Sequence, residues 1–342
     1  MRNYHFKLVS IILVIALILV VCTSLSAGQY NLDFIQVVAW CLHKMGIPLL
    51  TEINVTEQQE AVLMFIRSPR TVVGLLVGAG LAASGAVLQG LFSNPLADPG
   101  IIGVSSGATF GAVIAIIAGI NSTSLVGLPI SAFIGAVVAV SLTIGLATRH
   151  GRIPVLTLLL AGVVVGMLFS ALTAAMLTIM DDHKVQQYLF WTIGSLDYRR
   201  WEHVLMGVVP ISLGITIMLM MARHLNILAL GEAEAKAVGM NVTKYRLILL
   251  AVATMTTASS VCITGSIGFV GLIIPHMMRM LVGPNHRRLL PASMIGGSVF
   301  LVFCDSVGRM LLTNSEINVG IMTAILGTPY FLYLLRKNMD IR

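Results

Sequence analysis

The sequence predicts an all-α polytopic membrane protein with about ten transmembrane helices and both termini in the cytoplasm. Three observations lead there. Of the 342 residues, 57% are hydrophobic and only 10% are charged, against about 25% charged in an ordinary soluble domain. The apolar residues gather into long uncharged tracts, and about 20 apolar residues cross a bilayer as a helix. The 21 lysines and arginines are unevenly shared between alternate connecting segments, the pattern that sets orientation in a membrane. Backbone groups in lipid must pair internally, which favours helices over open strands.

Leu8 to Leu32 is the first tract. Basic Arg2 and Lys7 precede it and Ser-Leu-Ser-Ala-Gly closes it, an imitation of a secretory signal. The charge distribution works with the tract retained, so it reads as an uncleaved first span. An outer segment, Ala27 to Phe65, carries Asp33, Glu52, Glu57 and Glu60 and has room for a short surface helix. Thr71 to Ala97 is the second span. Pro99 to Thr148 holds two more, divided at Asn121-Ser122-Thr123-Ser124 and Pro129. Ile153 to Met180 is the fifth. Asp181 to Glu202 is polar enough to lie along the outer membrane surface. His203 to Ala222 is the sixth span, and the polar inner loop Arg223 to Arg246 follows it. Leu247 to Met278 holds the seventh and eighth, broken at Gly265-Ser266-Ile267-Gly268, with the eighth over Phe269 to Met280. The ninth starts at Leu289 and runs past Cys304, through Asp305 and Arg309, to Leu312. Ile317 to Leu335 is the tenth. The whole of 1–342 forms one transmembrane domain, with no separate soluble part and no linker.

With the N-terminus inside, the inner segments hold 14 basic residues, among them Arg149, Arg152, Arg223, Lys236, Lys244, Arg287, Arg288 and Arg342. The outer segments hold 7: Lys44, Arg67, Arg70, Lys184, Arg199, Arg200 and Arg309. The formal charge of +7 therefore needs no nucleic acid partner. Cys22, Cys41, Cys262 and Cys304 show no metal or pairing spacing. Glycines four apart (Gly74 and Gly78, Gly103 and Gly107, Gly107 and Gly111, Gly162 and Gly166) mark helix faces that pack closely in lipid. Breaks at Asn94-Pro95 and Gly265-Ser266 fall in matching places of the two halves, as an inverted repeat requires.

No nucleotide-binding loop is present, and no paired groups suit metal binding or hydrolysis. Ser84, Ser105 and Ser106 have no activating His or Lys nearby. The chain reads as a non-enzyme without a cofactor, so uphill movement needs a partner ATPase or an ion gradient. Two places could meet partners. Gly231 to Met240, GEAEAKAVGM, can fold as two short helices bent at Gly231 and Gly239, or stay a solvated loop. Arg67 and Arg70 flank Pro69, and Arg309 lies four residues beyond Asp305. Arginine forks suit carboxylates on a partner. The plainer readings are lipid anchoring for Arg67 and Arg70 and an internal pair of Arg309 with Asp305.

Four long motifs carry a resemblance. They are Arg67-Ser-Pro-Arg70 followed by GLLVGAGLAASGAVLQGLFSNPLADPGIIGVSSGA, then LGEAEAKAVGM, then GSIGFVGLIIPHMMRMLVGPNHRRLLP, then EINVGIMTAILGTPYFLYLL. In this order they resemble the FecCD-type permeases, over nearly all the chain after the first span. The resemblance implies the type II ABC importer permease fold in the bacterial cytoplasmic membrane. It implies a second permease subunit, identical or paralogous, two cytoplasmic ATPase subunits and an extracytoplasmic substrate-binding protein. The ATPase contact would fall on the coupling loop, with Gly231, Glu232, Ala235 and Gly239. The binding protein would dock on Arg67, Arg70 and Arg309. The fifth span would line the pathway, with Met167, Ser170 and Thr173. His276 in the Pro-His motif reads as structural. Two departures stand out: Ile317-Asn318 replaces Leu-Pro after Glu316, and Ser68 replaces a leucine. The cargo expected is an iron(III)–siderophore, with cobalamin or haem as the alternative. An ion-coupled carrier is the competing class, for which Asp305 is the fair ionisable candidate.

Overall fold

The computed structural model describes residues 2–30, 32–44, 46–47, 53–120, 124–148, 153–312 and 315–339, and all regular structure among them is helical. Glu52, the turn residues Asn121 to Thr123, and Arg149, Arg152 and Arg342 lie outside the described residues. In chain order the helices are α1 (Arg2–Ser26), α2 (Phe34–Lys44), α3 (Glu57–Val62), α4 (Ser68–Phe92), α5 (Val104–Ile117), α6 (Gly127–Ala147), α7 (Val155–Leu177) and α8 (Asp182–Ile193). They continue as α9 (Trp201–Met220), α10 (Ala222–Leu228), α11 (Glu232–Ala237), α12 (Val242–Thr264), α13 (Val270–Val282), α14 (His286–Met310) and α15 (Val319–Met339). Among the described residues, seven helices are long and apolar enough to cross a membrane, and three shorter apolar ones accompany them. Each falls on an expected tract.

The second span differs most from expectation. A π turn at Leu63–Arg67 joins α3 to α4, so one rod runs from Glu57 to Phe92. Its start is set by a capping box: Gln59 N donates to Thr56 Oγ1, and Thr56 N donates to Gln59 Oε1. Charge at Glu57, Glu60, Arg67 and Arg70 hides this first half from a hydropathy reading.

This rod is the axis of the bundle. Its most apolar stretch is 78% buried, against 17% for α1 and 22% for α7, so α1 and α7 are peripheral. Glycine explains the central position. A side-chain carbon at Gly78 would collide with the Gly297 carbonyl of α14, and one at Gly85 with the Gly271 carbonyl of α13. Gln89 Nε2 adds a 2.9 Å bond to Leu272 O of α13. Gly107 and Gly111 meet Gly135 and Ser131 across α5 and α6 in the same way. Dispersion and backbone contact of this kind hold helices together in lipid. Gly103 and Gly166 are the exceptions; their nearest neighbours would be Thr143 Oγ1 and Ser106 Oγ, each at 3.6 Å.

Both breaks are real turns. Ser93 ends α4 in the left-handed region, and Asp98 Oδ1 caps a short 3-10 turn at Gly100 N, 2.7 Å. Gly265, φ 76, lets the end of α12 press against the Trp191 carbonyl. Ser195 N then donates to Thr264 O at 2.8 Å, and Gly320 N to Gly194 O at 3.1 Å. The α8–α9 connection thus ties α12 to the start of α15. Where proline is missing, Asn318 O accepts from Ile321 N and Met322 N and starts α15 without it.

Candidate functional site

The two ends of the bundle carry the charged residues. At one end, α1 stops with its last carbonyls unpaired, at the negative pole of the helix. Arg67 Nη1 donates to Leu25 O at 2.7 Å and Ser26 O at 2.8 Å, and its Nη2 to Tyr30 O at 2.6 Å. Arg309 Nη1 donates to Ala27 O at 2.8 Å, and its Nη2 to Ser24 O and Oγ at 2.9 Å. The two guanidinium groups close the end of the first helix. The π turn sets Arg67 there, and Met64 O within it accepts from Trp201 Nε1 at 2.9 Å.

Arg70 is the hub of an ion network. Its Nε and Nη2 fork onto Asp305, with a shortest contact of 2.7 Å, and Nη1 donates to Glu316 at 2.7 Å. Asp197 lies 2.7 Å from Nη2, and Arg309 Nε lies 3.1 Å from the far oxygen of Asp305. Arg67 and Arg309 are each 4% exposed and Arg70 is 9% exposed. A cavity of about 580 Å³ opens above Arg70, walled by Phe65, Ile66, Tyr198, Arg199, Arg200 and Glu316 among others. Tyr198 stands 91% exposed on a left-handed backbone, φ 56. Burial raises the Glu316 carboxyl above the usual carboxylate range, with Arg70 pulling the other way. Burial also brings the Arg199 guanidinium down to about 10, against the pull of Asp197. A second cavity, about 560 Å³, is bordered by Arg309, Gln29 and Asp33.

At the other end α10 and α11 form a compact knob. Gly231, φ 129, makes the bend between them and Gly239, φ 78, ends the second. Glu232 pairs with Lys236 at 2.7 Å and reaches Arg246 at 3.4 Å. The Lys236 hydrogen bond holds the Glu232 carboxyl below its ordinary range. Ala235 is fully buried, while Leu230 and Val238 are 71% and 68% exposed. Three ties hold the knob to the spans. His224 stacks on Tyr245 of α12 at 4.2 Å. Asn226 Oδ1 accepts from His286 N of α14 at 2.8 Å. Glu232 reaches Arg246 of α12, whose Nη1 donates on to Ile153 O, just before α7, at 3.0 Å.

Along α7, Met167 is 68% exposed, Ser170 is exposed and Thr173 is 4% exposed. Ser170 and Thr173 border a cavity of about 260 Å³ between α5, α7 and α8; Met167 does not.

Residues 16–337 match the FecCD transport family. The chain belongs to that family. It is 45% identical over 285 residues to the cobalamin import system permease protein of Halobacterium salinarum, covering 83% of this chain and 76% of that one. It is 38% identical over 328 residues to the molybdate import system permease protein of Haemophilus influenzae, covering 95% and 94%. Its fold matches that of a solved metal-chelate type ABC transporter in an inward-facing conformation, with a TM-score of 0.85, 37% identity, and 97% and 99% of the two chains covered. The FecCD chain described here is thus an ABC importer permease, a multi-pass protein of the inner membrane.

The geometry shows where the predicted residues lie and what they touch. Arg67, Arg70 and Arg309 are not exposed surface arginines. Arg67 is spent on carbonyls, and the internal pair of Arg309 with Asp305 forms as its spacing allows. Arg70 and Arg309 each reach a cavity wall, whereas Arg67 borders neither opening. Asp197 and Glu316 complete the Arg70 network, and sequence reasoning missed both. No local spacing joins them to Arg70; only the fold does. His276 also departs from the reading of a satisfied structural histidine, since its buried Nδ1 has no hydrogen-bond partner among the described residues.

Proposed function

We propose that this permease passes an iron(III)–siderophore inward, with the arginine end facing outward and the knob end in the cytoplasm. Ten spans then bring both termini to the cytoplasmic side. The knob carries the reading. It is a pair of short helices, the second largely exposed, bound by side chains to α12 and α14 and, through Arg246 of α12, to the segment before α7, so force applied to it reaches the spans. Gly231, Glu232, Ala235 and Gly239 shape it, and exposed Leu230 and Val238 supply apolar contacts for a cytoplasmic ATPase dimer. A second permease, identical or paralogous, completes the pathway.

At the outer end, acidic side chains of a binding protein meet Arg70 and Arg309 through the two cavities, beside exposed Arg200. Arg67 acts as a positioning residue there. The metal-chelate character of the solved relative supports an iron chelate as cargo. The cobalamin permease relative supports the alternative of a corrinoid, and the molybdate relative widens the family's reach to a small oxyanion.

Reconstitution with the cognate ATPase and binding protein tests this. Uptake of radiolabelled iron(III)–siderophore is expected to need ATP, to stop with vanadate and to survive a protonophore. Vanadate-resistant uptake that a protonophore abolishes would establish an ion-coupled carrier instead. ATP-dependent uptake of cyanocobalamin with none of iron chelates would move the cargo to the corrinoid class.

A further inference from the structure

The cavity between α5, α7 and α8 is lined by six hydroxyl-bearing residues, Ser106, Thr109, Ser170, Thr173, Tyr188 and Thr192, and by no charged side chain. Its neighbour in the bundle, a hollow of about 340 Å³ between α6, α9 and α12, is lined chiefly by Val126, Pro129, Ile130, Phe133 and Met206, as a lipid-facing hollow is expected to be. The hydroxyl lining is therefore not a general property of the hollows in this molecule.

The hydrogen bonds give the pocket a definite chemistry. Ser106 Oγ donates to Gly103 O at 3.2 Å, Thr109 Oγ1 to Ser105 O at 2.8 Å, and Thr192 Oγ1 to Tyr188 O at 2.9 Å. Their protons are committed to their own helices, so they offer acceptor lone pairs. Thr173 differs. Its Oγ1 is buried without a hydrogen-bond partner among the described residues. Threonines and serines inside α12 avoid that state by donating back one turn, as Thr256, Thr257, Ser259 and Ser260 do. Valine would fill the same volume as Thr173 without a stranded hydroxyl.

We infer that this pocket is a recognition site for an uncharged, hydrogen-bonding side arm of the cargo, an amide or hydroxyl on the rim of a metal chelate. The inference rests on the proposed chelate cargo and on the α7 pathway reading. Acceptors from Ser106, Thr109 and Thr192 take the arm's N–H or O–H, and Thr173 and Ser170 answer its carbonyl. A water molecule occupies about 30 Å³ of the liquid, so about 260 Å³ admits an arm of several heavy atoms and not a whole chelate. With no cation in its walls, the pocket gives nothing to a carboxylate arm.

The test compares two probes in the reconstituted complex with its ATPase and binding protein: an iron(III) trihydroxamate bearing peptide amides, and iron(III)–citrate. The readout is the ratio of their KM values. Thr173→Val and Ser170→Ala are each expected to shift that ratio about three- to tenfold against the amide-bearing probe, the effect of one hydrogen bond. Thr216→Val, on the exposed face of α9, leaves the ratio unchanged. Thr173→Val should also raise the unfolding temperature, since it removes a stranded hydroxyl. A constant ratio in both pocket variants, or both KM values rising together, overturns the recognition site. Ser170 is exposed, so its variant decides the matter should Thr173→Val fold poorly. A wild-type complex that moves neither probe overturns the chelate reading itself, a result distinct from movement of both with an unshifted ratio.

Discussion

Arg67 shows how far an arginine's role depends on what its fork can reach. Its three hydrogen bonds all go to carbonyls at or just beyond the end of α1, and Arg309 adds two to carbonyls there and one to Ser24 Oγ. Ser24 Oγ, 2.9 Å from Thr71 Oγ1, adds a neutral link to α4. A lysine keeps the charge and loses the fork. Arg67→Lys is therefore expected to destabilise the protein by about 2 kcal/mol, the scale of a charge-assisted hydrogen bond. Thermal unfolding of the solubilised protein reads this, while binding-protein affinity should change less than threefold. Lost docking with an unaltered unfolding temperature would return Arg67 to a direct contact role. The pairing of Asp305 with Arg309 was legible because it spans one helical turn. Arg70 with Asp197 and Glu316 was not, because burial in the fold alone makes that network.

The same physics separates one glycine from another. Gly78 sits where α4 and α14 touch backbone to backbone, and an added methyl meets the Gly297 carbonyl. Overpacking of this kind costs about 1–3 kcal/mol. In α6, Gly145 has open space around its Cβ position, so alanine there gains about 0.5–1 kcal/mol of helix preference. Gly78→Ala should lower the unfolding temperature and Gly145→Ala raise it; two shifts of the same sign would sink the close-approach account. Spacing in the sequence marked Gly74 and Gly78 as a packing face but could not name α14 as the partner. In the knob, by contrast, both bends were legible, because Gly231 and Gly239 take left-handed backbone that other residues resist. Leu230→Asp with Val238→Asp should leave folding within about 0.5 kcal/mol, as surface changes do, and abolish co-purification of the ATPase. Retained ATPase would exclude these side chains from the contact. Glu232 adds a pH signature. Its carboxyl is held low by Lys236, so its contribution is present above the ordinary carboxylate pKa and lost as pH falls through the depressed value. The pair is half exposed and contributes only about 0.3–0.5 kcal/mol, so association should be flat between pH 6 and 8 and loosen only in acid.

The proposed orientation rests on where free charge remains. The outer basic residues looked like exceptions to the positive-inside pattern, yet Arg67, Arg70 and Arg309 are buried and bound within the bundle. An arginine whose charge is consumed by Asp305, Glu316 and helix carbonyls does little to hold a loop on one side. At the knob end Arg223, Lys236, Lys244 and Arg287 are exposed, so the asymmetry of solvent-facing charge is steeper than the raw count. The apolar tracts made the spans legible, but this distinction needed burial. Labelling checks the result. Cys262 and Cys304 are buried, and Cys22 and Cys41 are half-buried, so replacing the latter pair by alanine gives a quiet background. A single cysteine at Val238, 68% exposed, should react with a membrane-impermeant maleimide only from the cytoplasmic side. One at Tyr198, 91% exposed, should react only from the outside. Reaction of both from one side would break the opposed-ends arrangement, and reversed sides would place the arginine cluster against the ATPase and leave the binding protein no docking site there.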